Sequence, residues 1–200
     1  PLKLEFRSGM PANAFALPGG TVVMTDAIVQ AAADKGISDD ALVGVLAHEI
    51  GHVVHRHGMR MVVEQGVLNM GLGLALGDVS GVVSTGATLL TSRAYSRSHE
   101  READCYAMAL MGQASLPTAP MGQLLLAIAH DEEDEARKPK GAKPAESTAP
   151  AAEPASAPKA KDKAATPRES SPVWSLLASH PDTVQRATEL QQGHAPHCAR

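Results

Sequence analysis

The feature that most constrains this chain is the pattern His48-Glu49-Ile50-Gly51-His52, which lies inside a strongly apolar stretch. Residues four apart lie on the same face of a helix, so both imidazoles can reach one metal ion. The apolar neighbours indicate a mostly buried helix, and buried imidazole and carboxylate groups need partners. A pattern of three fixed residues also occurs by chance, and a helix with several histidines can be a solvated surface. The apolar context favours a metal site over both alternatives.

The two histidines and the glutamate have the spacing of the zinc-protease signature. In that arrangement His48 and His52 bind one Zn²⁺ per chain. Glu49 is not a ligand but takes a proton from a zinc-bound water and makes that water a nucleophile. We expect the helix to begin near Asp39, after Ser38 as its cap, and to continue to about residue 65.

A third ligand is needed, because a catalytic zinc normally has three protein ligands and an open position. Glu100 and Asp104 lie four apart on a helix predicted over 97–111, so the two carboxylates share one face. One of them can bind the metal while the other orients a ligand histidine. Spacing alone does not choose between them. It also leaves open that both, with Glu102, are surface charges.

The rest of the pattern predicts an α+β fold that is mainly α. Alternating and β-prone runs predict short strands at 3–7, 13–17 and 21–25, the last two joined by a hairpin at 18–20. Further helices are predicted at 26–33, 121–130 and 181–192, the last capped by Ser179 or His180. The apolar stretch 66–92 contains Asp78 and many glycines, which favours two short packed helices over a membrane-facing hairpin.

Composition limits the core and the partners. Hydrophobic residues make up 44% of the chain but aromatic residues only 2%, so the core must be built from Ala, Val, Leu, Ile and Met. The net charge of −4 does not suggest a nucleic-acid partner. Cys105 and Cys198 can pair or stay free. A start at Pro1 indicates a piece of a longer protein or a processed form.

Residues 131–172 differ in kind from the rest of the chain. They hold seven of the 14 prolines and no Val, Ile, Leu or aromatic residue. Such a segment buries too little apolar surface to offset its ordering entropy, which predicts a disordered insertion. The predicted organisation is therefore a domain over 1–130, the insertion at 131–172, the rest of the domain at 173–192, and a loose tail at 193–200.

Four ordered segments together resemble a known family. They are His48–His52, 96–104, Ser179-His180-Pro181 with Arg186, and the upstream stretch 13–20. This combination is similar to the membrane-associated zinc peptidases that include HtpX, the periplasmic BepA, mitochondrial OMA-type proteases and the CAAX prenyl endopeptidases. The resemblance runs from about residue 9 to 190, apart from the insertion. It implies a zincin-like metalloprotease domain with a small hairpin over the active-site helix.

The resemblance also implies roles for particular residues. Glu100 would be the third zinc ligand, and Asp104 would orient a ligand histidine. His180 would lie near the metal, either as a fourth ligand in a latent state or as an aid to the oxyanion, with Arg186 supporting that pocket. An extended substrate would pair with the edge strand at Asn13, Ala14 and Phe15.

These features predict a zinc endopeptidase that acts on polypeptides, including misfolded or membrane proteins. The implied setting is quality control at the bacterial cell envelope, periplasmic or membrane-associated, with membrane association in the full-length protein. The alternative is a chaperone-like binding protein with a latent or structural zinc site. The remaining nearby histidines, His55, His57 and His99, are interpreted as structural or surface residues, and Glu102 as a surface charge.

Overall fold

The computed structural model describes residues 1–76, 96–137, 176–194 and 198. Within these residues it contains a three-stranded sheet and seven helices, so the fold is α+β and mainly α, as predicted. The strands are β1 (Lys3–Arg7), β2 (Ala14–Leu17) and β3 (Thr21–Thr25). The helices are α1 (Asp26–Asp34), α2 (Asp40–Val54), α3 (His57–Leu76), α4 (Arg97–Gln113), α5 (Ala119–Arg137), α6 (Leu176–Ser179) and α7 (Thr183–Gln191).

The sheet has the strand order β1-β3-β2. Strand β2 pairs antiparallel with β3 in the predicted hairpin, while β1 runs parallel to β3 on the other side. Strand β2 is therefore an edge strand, and it contacts helix α2. This arrangement lays one free backbone edge over the helix that carries the histidine motif.

The motif helix is shorter than predicted. Helix α2 ends at Val54 and α3 starts at His57, whereas we expected one helix to about residue 65. Arg56 between them has φ 55°, in the left-handed region, which interrupts a right-handed helix. The interruption redirects the chain and leaves the His57 side chain fully buried.

Two glycines allow the helices that build the site to approach closely. A Cβ on Gly51 would lie 3.0 Å from the Cα of Ala103, so α2 and α4 touch backbone to backbone. A Cβ on Gly122 would lie 2.4 Å from the Ala187 carbonyl oxygen, which brings α5 against α7. Larger side chains would push α4 away from α2 and α7 away from α5. Both helices carry residues predicted to form the site.

The main core is aliphatic, as the low aromatic content requires. Its buried members come from β2, β3 and all the helices except α3 and α4. They are Ala14, Met24, Ile28, Ala32, Ala41, Val45, Met121, Leu124, Leu125, Ile128, Leu176, Ala187 and Leu190. This cluster packs between the sheet, α2, α5 and the C-terminal helices, and so fixes the C-terminal segment against the motif helix.

The C-terminal half differs from the prediction in three ways. Helix α5 continues to Arg137, seven residues into the segment predicted to be disordered. Its Glu132 carboxylate accepts hydrogen bonds from the backbone N–H groups of Leu176 (2.8 Å) and Leu177 (3.2 Å), at the start of α6. The last helix begins at Thr183 after Asp182, so neither Ser179 nor His180 caps it.

Some predictions fall on residues outside the described ranges. The predicted insertion remains a prediction over 138–172, and the second half of the 66–92 stretch lies within the undescribed residues 77–95. No helix among the described residues has both the length and the apolar character needed to cross a membrane.

Cys105 and Cys198 form a disulfide bond. The bond joins helix α4 to the C-terminal tail. The tail, predicted to be loose, is therefore covalently anchored at residue 198.

Candidate metal centre and active site

Three predicted ligands converge between α2 and α4. His48 Nε2 lies 3.0 Å from His52 Nε2. Glu100 Oε2 lies 3.4 Å from His48 Nε2, and Glu100 Oε1 lies 3.3 Å from His52 Nε2. Tetrahedral zinc with ligand distances near 2.0–2.1 Å requires donor atoms about 3.3 Å apart. These three donor atoms therefore fit a zinc ion.

His180 completes a buried group of four candidate donors. The donor atoms of His48, His52, Glu100 and His180 all lie within 4.8 Å of one another. All four side chains are buried, and they come from three parts of the chain that are far apart in sequence: α2, α4 and the segment after α6. Two imidazole nitrogens facing each other at 3.0 Å cannot both present lone pairs without a proton or a cation between them. The donor set thus suits a metal.

Asp104 lies behind His48, as expected for an orienting carboxylate. Its Oδ1 is 2.9 Å from His48 Nδ1, the ring nitrogen that faces away from the other ligands. This contact directs Nε2 of His48 towards the metal position. Burial alone would lower the pKa of His48, but the hydrogen bonds to Asp104 and Glu100 raise it to about 9 in the metal-free protein.

Arg186 neutralises two buried carboxylates. Its Nε and Nη2 donate to Asp104 Oδ2 and Oδ1, and its Nη1 donates to Glu100 Oε2. Burial would raise the pKa of each carboxyl, but the charges of His180 and Arg186 hold the pKa of Glu100 below its usual range, and Arg186 does the same for Asp104. The resemblance implies that Arg186 supports an oxyanion pocket, and that role stays a prediction.

Glu49 lies beside the donor atoms and is 1% exposed. Its Oε2 makes no hydrogen bond with any described residue, whereas the backbone N–H of Ala16 on β2 donates to its carboxylate. Burial raises the pKa of Glu49 despite the opposing charges of His180 and His48. A buried carboxylate with one free oxygen and a raised pKa can accept a proton from water and return it.

His180 bridges the motif helix, the ligand carboxylate and the edge strand. Its Nδ1 lies 3.2 Å from Glu100, and its Nε2 lies 3.2 Å from the Ala14 carbonyl oxygen and 3.4 Å from Glu49 Oε1. Burial opposes protonation of His180, but the charges of Glu100 and Glu49 raise its pKa. The position is compatible with both implied roles, a fourth ligand and a donor to an oxyanion.

The predicted substrate strand lies directly over these groups. The side chains of Asn13, Ala14 and Phe15 are buried. Asn13 pairs with the Ser179 hydroxyl, at 3.2 Å from its Nδ2, and this pair ties the strand to the His180 segment. Sequence reasoning missed Ala16, whose N–H faces Glu49, because a backbone group leaves no side-chain signal.

Two further residues, which we had interpreted as structural or surface residues, connect to the candidate ligand His52: His57 contacts it directly, and Glu102 contacts His57. His57 Nδ1 lies 2.9 Å from His52 Nδ1, and His57 Nε2 lies 3.1 Å from Glu102 Oε2. The sequence predicted His57 within a continuous helix, five residues after His52. The interruption between α2 and α3 at Arg56 brings the two rings together. Arg56 is not a glycine, so nothing in the sequence signals the left-handed conformation at this position.

A cavity of about 600 Å³ opens beside His52 along the end of β2. It lies between the hairpin turn and the C-terminal end of α2. Its lining is mostly apolar with one arginine: Pro1, Leu2, Ala16, Leu17, Pro18, Gly19, Gly20, His52, Val53, Val54, Arg56, Gly58 and Met59.

The fold and the site together define the class of HExxH metallopeptidases, with two histidines and a glutamate from neighbouring helices. More narrowly, the chain belongs to peptidase family M48, whose model matches residues 5–193. This match confirms the resemblance found in the sequence.

Two curated relatives share 34% identity with the chain. One is the putative beta-barrel assembly-enhancing protease of Vibrio cholerae serotype O1, matched over 140 residues, 64% of this chain and 28% of the relative. The other is the mitochondrial metalloendopeptidase OMA1 of Saccharomyces cerevisiae, matched over 105 residues, 51% of this chain and 29% of the relative. The chain thus spans less than a third of the length of either relative.

Proposed function

We propose that this chain is a zinc-dependent endopeptidase in which Glu49 acts as the general base. The observation that carries the proposal is the position of Glu49, which contacts both His180 of the donor group and the backbone N–H of Ala16 on the edge strand β2. The ligands would be His48, His52 and Glu100. Bound zinc would polarise the scissile carbonyl and acidify the attacking water.

Side chains and backbone groups of the chain would transfer the proton, bind the peptide and stabilise the oxyanion. Glu49 takes the proton from the attacking water and passes it to the leaving amine, which its raised pKa favours. The Ala14 carbonyl on the outer edge of β2 would pair with an extended peptide, while the Ala16 N–H keeps its hydrogen bond to the Glu49 carboxylate. His180 leaves Ala14 when a peptide pairs there, and its Nε2–H then donates to the developing oxyanion.

Polypeptides fit this site better than small substrates, because an edge strand recognises backbone groups at regular spacing. We further propose misfolded or membrane proteins as substrates and quality control at the bacterial cell envelope as the setting. The name of the Vibrio relative, an assembly-enhancing protease, supports this setting. Fractionation of cells that express the full-length protein tests it, and recovery in the cytosolic fraction alone would contradict it.

The mechanism is tested with Glu49→Gln, which keeps the shape of the side chain but removes the base. We expect zinc content to be unchanged and casein digestion to be lost. Glu133→Gln is the matched control, because that carboxylate is exposed on α5, and it should digest casein at the wild-type rate. A chelator should stop the wild-type reaction. Full activity of Glu49→Gln would exclude Glu49 as the base.

The second candidate is a chaperone-like binding protein with a latent zinc site. The observation that favours it is His180, whose ring nitrogens already lie among the candidate donors. If His180 holds the fourth position permanently, the protein binds zinc but cleaves nothing. Replacement His180→Ala separates the two cases. It should release activity in a latent protein and reduce activity, with little loss of zinc, in a protease that uses His180 for the oxyanion.

A further inference from the structure

We propose that His57 and Glu102 are positioning residues that hold the metal ligand His52 in one tautomer and one orientation. The inference rests on the proposed metal role of His52. His52 Nδ1 lies 2.9 Å from His57 Nδ1, and His57 Nε2 lies 3.1 Å from Glu102 Oε2. The three side chains therefore form a continuous chain that leads from the ligand to the protein surface.

The proton positions along this chain follow from the chemistry of each atom. A neutral histidine that binds a metal through Nε2 carries its proton on Nδ1. His52 Nδ1–H then donates to His57 Nδ1, which is unprotonated. The proton of His57 lies on Nε2 and is donated to the Glu102 carboxylate, which only accepts. Each nitrogen has one role, and the set of roles is consistent only with Nε2 of His52 facing the metal.

The two ligand histidines are supported in parallel from helix α4. Asp104 contacts His48 directly, and Glu102, two residues earlier, reaches His52 through His57. Each carboxylate is also paired with an arginine: Asp104 with Arg186 and Glu102 with Arg60. Glu102 lies on the outer side of α4, so the ring of His57 makes the connection between Glu102 and His52.

The contact between His57 and His52 is buried. The His57 side chain is 0% exposed, and His99 stacks on it with ring centroids 4.3 Å apart. A buried ring held in this way keeps its hydrogen-bonding nitrogen in a fixed position beside His52. The Glu102 side chain, by contrast, is 42% exposed and marks the solvent end of the chain.

A separate cation site is the competing interpretation of these residues. His55, His57 and Glu102 offer donor atoms within 4.8 Å of one another. However, Arg60 Nη1 lies 3.0 Å from the same Glu102 oxygen that His57 contacts, and a neighbouring guanidinium disfavours a second cation. His55 Nδ1 is 3.9 Å from that oxygen and its side chain is 38% exposed. The contacts therefore favour the positioning role.

The test compares two replacements of similar size at His57. An asparagine amide oxygen can take the place of Nδ1 as acceptor, whereas leucine offers no acceptor. Zinc affinity is measured by competition with a chromogenic chelator at constant pH. We expect His57→Leu to weaken zinc binding by roughly 10–100-fold and His57→Asn to recover most of that loss. Equal affinities of the two variants would mean that His57 only fills space, and would overturn the proposal.

Two further variants complete the experiment. His55→Leu changes a nearby histidine whose side chain is 38% exposed, and should leave zinc affinity unchanged. Glu102→Gln keeps His57 packed and removes only the charge, so it should weaken zinc binding in a folded protein. Unchanged affinity in Glu102→Gln would contradict the proposal even if the His57 variants fail to fold.

Stoichiometry separates the remaining possibilities. A wild-type protein that binds two zinc ions and loses one in His55→Leu would establish the competing cation site and overturn the positioning role. A wild-type protein that binds zinc but cleaves no peptide would overturn only the proposed protease, because the zinc measurements still report on His57. A wild-type protein that binds no zinc would overturn both.

Discussion

Arg186 holds Asp104 at two points, with Nε 2.7 Å from Oδ2 and Nη2 2.7 Å from Oδ1. The same guanidinium donates its third nitrogen to Glu100. The Arg186 guanidinium thus orients both Asp104, which supports His48, and Glu100, which faces the candidate metal position. The contact joins α4 to α7, which follows the undescribed residues 138–175 in sequence. The C-terminal helix is therefore part of the candidate metal centre.

Replacing Arg186 with methionine should destabilise the protein strongly, because two buried carboxylates would lose their compensating charge. We expect the free energy of unfolding in urea to fall by about 3–5 kcal/mol. Arg97→Met is the control, since Arg97 pairs with Asp182 while 75% exposed and should cost less than about 1 kcal/mol. Similar losses in the two variants would contradict the assignment of Arg186.

Adding one methyl group to Gly51 should disturb the metal centre without touching a ligand. The new Cβ would lie 3.0 Å from Ala103 Cα, so α4 must move, and Glu100 moves with it. Overpacking of this kind costs about 1–3 kcal/mol. Zinc affinity should fall as well. Gly112→Ala on the same helix α4 meets nothing within 4 Å and should stabilise the protein slightly.

Zinc binding should become tighter as the pH rises towards 9. Burial lowers the pKa of His48, but its contacts with Asp104 and Glu100 raise it to about 9 in the metal-free protein. A ligand histidine must be deprotonated, so below pH 9 each zinc ion displaces a proton. Apparent affinity should therefore rise up to about tenfold per pH unit below 9 and level off above it.

The control for this pH dependence is Asp104→Asn, which removes the charge that raises the pKa of His48. In this variant the rise in affinity should level off at a lower pH. Affinity that does not change between pH 7 and pH 9 in the wild-type protein would contradict the prediction.

Glu132 should stabilise the segment that carries His180. Its carboxylate accepts the first backbone N–H groups of α6, at Leu176 and Leu177. Glu132→Ala should reduce the free energy of unfolding by about 1 kcal/mol, as the loss of a helix cap does. Glu133→Ala removes a neighbouring exposed carboxylate and should change stability by less than about 0.5 kcal/mol. Equal effects would show that the contact with α6 is unimportant.

Local signals in the sequence predicted much of this structure. The hydroxyl of Thr25 accepts a hydrogen bond from Ile28 N–H at the start of α1, and that of Ser96 accepts one from His99 N–H at the start of α4. Such caps depend on neighbouring residues alone. The spacing of the HExxH motif likewise follows from helix geometry.

The parts that the sequence did not predict depend on contacts between distant residues. Arg56 adopts a left-handed conformation without being a glycine, and the resulting burial of His57 could not be foreseen. Glu132 lies in a polar segment that looked disordered, and its partner is 44 residues away. The role of Arg186 depends on the approach of α7 to α4, which packing determines.

The disulfide between Cys105 and Cys198 closes residues 105–198 into a covalent ring. His180 and Arg186 lie within that ring. In sequence they follow residues 138–175, whereas His48, His52 and Glu100 precede them. A single nick anywhere between Arg137 and Leu176 would therefore open the ring without separating the molecule. The two pieces would stay joined through sulfur, with every candidate ligand still on one covalent assembly, until a reductant reached the bond.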